Sequence, residues 1–118
     1  MSEVFDFAGS MERMGQDEQL FGEMVGFLFA DVPLWLAQAR QSLDAGDAVR
    51  VHRSAHTVKG LVANFGAYRA IHAAAQVEEL AKAGDLEAAG RIMPQLEAAY
   101  QELHEALAPY HRPVDELK

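Results

Sequence analysis

Cysteine is absent from the 118-residue chain, which excludes disulfides, thiolate metal sites and a cysteine nucleophile. Basic residues are scarce. Ten Lys and Arg stand against 18 Asp and Glu, a formal net charge of −8. Nucleic-acid binding needs cations clustered on phosphates, so this balance argues against it. Long apolar runs are missing as well: the longest, Met24 to Ala30, falls far short of a membrane span. No basic stretch precedes an apolar one at the N-terminus, so no signal peptide is read there and a cytoplasmic location is expected. Period-two alternation is nowhere sustained, which leaves no strand to build a sheet from. What remains, with 50% hydrophobic and 24% charged residues, has the composition of one folded domain.

Glycine and aspartate punctuate the chain at helical intervals. Asp6 suits the cap of a short helix over Phe7 to Met14, with Gly15 ending it. Asp17 suits the next cap, ahead of the stripe Phe21, Val25, Leu28, Val32, Trp35, Ala39 and Leu43. Pro33 lies inside that stripe and removes a donor, so a kinked or broken helix is expected over residues 18–44. The tripeptide Ala-Gly-Asp then occurs twice, at 45–47 and 83–85, each time fitting a helix end followed by a cap. Between and after these turns run three more stripes. They are Ala48, Val51, Ala55, Val58, Val62, Phe65; Ile71, Ala74, Val77, Leu80; and Leu86, Ala89, Met93, Leu96, Tyr100, Leu103, Leu107. Pro94 predicts a bend in the last. Short turns between long helices mean antiparallel neighbours. The expected architecture is all-α: an antiparallel up-and-down four-helix bundle over residues 1–110 with a short additional N-terminal helix. Residues 111–118 read as a loosely ordered tail. No second apolar stripe is left over, so a monomer is expected.

Gly60 does not fit a packing account. It sits within a helix, where glycine costs roughly 1 kcal/mol relative to alanine. At 100° per residue it falls about 170° from the centre of the apolar stripe, on the solvent side. Helical side chains lean over the preceding turn, so a side chain at 60 would cover His56. Lys59, three residues from His56, reaches the same space. An open imidazole is a nucleophile near neutral pH, and an adjacent ammonium suits phosphoryl oxygens.

Residues Ala55-His56-Thr57-Val58-Lys59-Gly60, followed by Ala63-Asn64-Phe65-Gly66-Ala67, resemble the signature of histidine-containing phosphotransfer (HPt) domains. The resemblance extends to the short first helix, the proline-interrupted second helix, the Ala-Gly-Asp turns and the final long helix. It implies that His56 accepts a phosphoryl group on Nε2, that Lys59 steadies its charge and that Gly60 keeps the site open. Asn64, Gly66 and Ala67 would shape the turn that follows. The implied partners are response-regulator receiver domains, a hybrid histidine kinase, or both. The chain itself would bind no cofactor, and Mg²⁺ would sit on the receiver. It would be a phosphocarrier and not an autonomous kinase, in keeping with the absence of a Gly-rich phosphate loop. His52, Ala63 and Asn64 near His56, and Leu34 off the core stripe of the second helix, are candidates for partner docking. The net charge would select a receiver with a basic rim.

Two other readings compete. A helical bundle can be an interaction module with no chemistry. His52 and His56, four residues apart, can also ligate zinc, but two ligands are not a site and Arg53 and Lys59 flank them. No glutamate stands three residues before any histidine, so the di-iron pattern is missing, and no metal is expected. His72, His104 and His111 read as surface or packing residues.

Overall fold

The computed structural model describes residues 4–112. Five α-helices follow one another: α1 (Phe7–Arg13), α2 (Glu18–Asp44), α3 (Ala48–Ala63), α4 (Tyr68–Lys82) and α5 (Leu86–Leu107). A 3-10 turn over Ala108–Tyr110 follows α5, and the described residues contain no strand. Four helices start on an aspartate that accepts an orphan backbone N–H: Asp6 from Gly9, Asp17 from Leu20, Asp47 from Arg50 and Asp85 from Ala88. Each such cap contributes about 1 kcal/mol. The α4 helix has no side-chain cap and starts instead at the buried Ala67.

The expected bundle forms from α2 to α5. The α3 helix packs on both α2 and α4, α5 packs on α4, and the α2–α5 seam is the sparsest. Phe21, Val25, Leu28 and Val32 meet Val51, Ala55, Val58 and Val62 in the core, closed by Val77, Met93, Leu96 and Leu103. The small Ala70, Ala73, Ala74 and Ala81 line the buried side of α4 and let it approach its neighbours closely.

Of the kink or break expected at Pro33, the break does not occur. The α2 helix runs uninterrupted through Pro33 and α5 through Pro94. Both prolines are exposed, so the carbonyls four residues earlier, which lose their partners, lie toward water. Trp35 and Leu36 flank the buried line of α2, and it is the smaller Leu36 that is buried. By length and hydropathy α2 has the makings of a membrane span, but its apolar residues divide between two faces. One packs into the core. The other carries Leu20, Phe27 and Leu34, seven residues apart and all exposed. That second apolar line removes the reason for expecting a monomer.

Both ends of the described chain gather at one pole. Phe5, Phe7, Phe21 and Tyr110 form a ring cluster, with Phe65 edge-on to Phe21 at 5.6 Å. The Asp6 amide donates to the Phe65 carbonyl at 2.8 Å. Gly66, at φ +60°, makes that crossing feasible, since a Cβ there would lie 2.7 Å from the Asp6 Cβ. Of the tail expected over 111–118, His111 and Arg112 pack on α2. The Arg112 amide donates to the Gly22 carbonyl at 3.1 Å, and the His111 ring meets Phe29 at 5.2 Å. Residues 113–118 lie outside the described residues.

Candidate functional site

The stripe that buries Val51, Ala55, Val58 and Val62 leaves the opposite side of α3 in solvent. His56 stands there with its side chain 64% exposed. Gly60 is exposed one turn on, and a Cβ built on it meets nothing within 4 Å. Among the described residues no side chain roofs the imidazole from that direction.

Beneath the imidazole lies Glu78 of α4, which sequence reasoning missed. Its side chain is only 11% exposed, and three cationic or titratable groups of α3 converge on it. His56 Nδ1 is 2.7 Å from Oε2, Lys59 Nζ is 2.6 Å from Oε1, and His52 Nε2 is 3.6 Å from Oε2. Burial alone would raise the Glu78 carboxyl. Hydrogen bonds from Lys59 and His56, together with their charges, outweigh it and hold the group below the usual carboxylate range.

That ionised state decides the imidazole's tautomer. A carboxylate can only accept, so His56 Nδ1 carries the hydrogen and donates it to Glu78. In the neutral ring the free lone pair is then on Nε2. His52 lies one turn below His56, its ring nearly parallel at 8° and 6.4 Å between centroids. It is too far from Glu78 for a hydrogen bond, and it faces the same oxygen.

Lys59 reaches the site as expected, but its ammonium lies on Glu78. Ala63, Asn64 and Leu34 are exposed, Leu34 at 67%. Ala63 and Asn64 lie at the far end of α3, where Arg13 of α1 donates to the Asn64 carbonyl at 2.8 Å. His104 and His111 are packing residues on Phe29, His104 stacked at 4.0 Å.

A groove of about 620 Å³ lies between α4 and α5 along Tyr68, His72, Gln76 and Ala98, on the far side of α4 from Glu78. His56, with its side chain 64% exposed, stands outside it. Among the described residues no group of three or more His, Asp and Glu is placed to hold a metal ion.

A search across protein families matches the Hpt domain model over residues 23–106. Among solved structures the chain is similar to histidine-containing phosphotransfer protein B of Pseudomonas aeruginosa PAO1. The TM-score is 0.85 at 22% identity, covering 92% of this chain and 95% of that one. Comparison with curated protein sequences gives no match.

Proposed function

The chain belongs to the Hpt domain family, and from that premise we propose that it carries a phosphoryl group between receiver domains in a two-component phosphorelay, with His56 as the acceptor. The observation that supports this most is the His56–Glu78 contact, which leaves Nε2 as the exposed nucleophilic nitrogen.

The reaction is a displacement at phosphorus. His56 Nε2 attacks in line, the N–P bond forms, and the bond from phosphorus to the aspartyl oxygen breaks. The leaving carboxylate takes the electron pair. No proton has to leave the imidazole: the Nδ1 hydrogen stays between His56 and Glu78, and the positive charge developing on the ring faces a carboxylate 2.7 Å away. Phosphoryl transfer asks mainly for positioning and charge compensation. Glu78 supplies both from below. Lys59 keeps N–H donors in hand besides the one on Glu78 and offers them to the phosphoryl oxygens. Transfer to a second receiver is the same step reversed. The Mg²⁺ belongs to the receiver, and the chain adds no kinase activity of its own.

Phosphorylated receiver domains test the reading, with His56→Gln and Lys59→Ala beside the wild type. An acid-labile, alkali-stable label that is absent from His56→Gln, and slower to appear in Lys59→Ala, is the expected result. Equal labelling of His56→Gln overturns it.

A further inference from the structure

The net charge of −8 hides a sharp segregation. The α3 helix carries Arg50, Arg53 and Lys59 and no carboxylate at all. By contrast α2 and α5 each carry four acids against a single base. The acid that α4 presents to α3, Glu78, is buried and committed to His56 and Lys59. Arg53, one turn before His56, is exposed and forms no ion pair among the described residues. Arg50 lies 3.9 Å from Asp47 in a loose, solvated pair. Beside them a shallow groove of about 330 Å³ runs between the start of α3 and the end of α4. Val49, His52, Ala81 and the exposed Lys82 line it. Val49 is 67% exposed and lies two turns from His56 on the same line of the helix.

We propose that this face is where the phosphoryl-bearing partner docks, and that the partner presents an acidic rim with one apolar side chain placed over Val49. The proposal rests on the reading of His56 as the acceptor. It reverses the expectation, drawn from net charge, of a basic partner rim. At physiological salt a charge is felt over about 8 Å, so the local sign around His56 governs the final approach. The excess of acids over bases on α2 and α5 makes those helices less attractive to such a partner, which favours arrival on α3.

The test compares wild type with Arg50→Glu/Arg53→Glu, Val49→Asp and, as a remote control, Arg91→Glu on α5. Second-order rate constants for uptake from phosphorylated receivers are measured from about 20 to about 500 mM NaCl. Each protein is also labelled with phosphoramidate, a small donor that needs no docking. Wild-type uptake from receivers should fall at least about fivefold across the salt range. The double reversal should cut low-salt uptake about tenfold relative to its own phosphoramidate labelling, and converge with wild type at high salt. Val49→Asp should lower uptake at every salt concentration, and Arg91→Glu should behave as wild type. A double reversal with wild-type rate and salt slope, or a faster one, overturns the proposal. So does a wild type that phosphoramidate labels on His56 but no acidic-rimmed receiver can label. If neither donor labels His56, the carrier reading fails first and takes the docking proposal with it.

Discussion

His56 and Glu78 stand eleven residues either side of Ala67 and meet across the α3–α4 seam at 2.7 Å. The hairpin between them brings both to one height, and the alanines of α4 let the carboxylate in under the imidazole. The imidazole at the surface is thus anchored by a charge in the interior.

Neutralising that charge should slow the reaction while keeping the contact. Glu78→Gln preserves an oxygen acceptor for Nδ1–H but removes the anion facing the developing imidazolium. We expect phosphoryl uptake to fall about tenfold. Glu78→Ala should fall further, because the ring then loses its fixed tautomer. Single-turnover labelling measures both, and a Glu78→Gln protein as fast as wild type would show that the negative charge contributes nothing.

The same carboxylate ties stability to pH. Its folded pKa is lowered, so between the folded value and the ordinary value near 4.5 the native state binds fewer protons than the unfolded chain. Its stabilisation is complete above that range and is lost as pH falls through the folded value. Between about pH 5 and about pH 3 the wild-type Tm should drop more than that of Glu78→Gln. Parallel curves would mean that the carboxylate is not held in its charged form.

Gly60 separates helix stability from access. A Cβ there meets nothing, so Gly60→Ala should stabilise the protein by about 1 kcal/mol and leave transfer nearly intact. Gly60→Gln should gain similar stability, yet its longer side chain leans over His56 and should cut transfer by about tenfold or more. Thermal melts alongside transfer rates separate the two effects.

Tyr100 is buried in α5, and its hydroxyl has no hydrogen-bond partner among the described residues. Burial pushes the phenol up to about 12. Tyr100→Phe removes an unsatisfied group and should be neutral or stabilising by up to about 1 kcal/mol. A loss of more than that, read by chemical denaturation, would reveal a partner for the hydroxyl.

Much of this was legible in the residues. Aspartate caps and apolar stripes located every helix to within about two residues, since caps and burial act locally. Gly60 pointed to an open His56 through helix geometry alone. Glu78 was harder to see because its role needs two helices. On α4 alone it is one acid beside another, Glu79, and only the α3–α4 pairing makes it a partner. Its spacing from the turn and its place in line with Ala74 and Ala81 were the available signals. Pro33 left a kink and a break both open for the opposite reason: its cost is set by where the freed carbonyl points, which the chain reveals only once packed. Leu34 stood out as off the core stripe of α2, but its alignment with Leu20 and Phe27 blends into a helix rich in apolar residues.

Phe5 and Tyr110 bring their rings within 6.0 Å, so the polypeptide enters and leaves the bundle through one doorway. The Ala-Gly-Asp turns at Gly46 and Gly84 lie at the other end. A short linker across the doorway would allow the chain to be cut open at either turn, giving a circular permutant in which α3 and α4 stay covalently joined. Spliced into another protein's surface loop, the bundle would hang from a single stalk, with His56 carried on its flank, clear of the host.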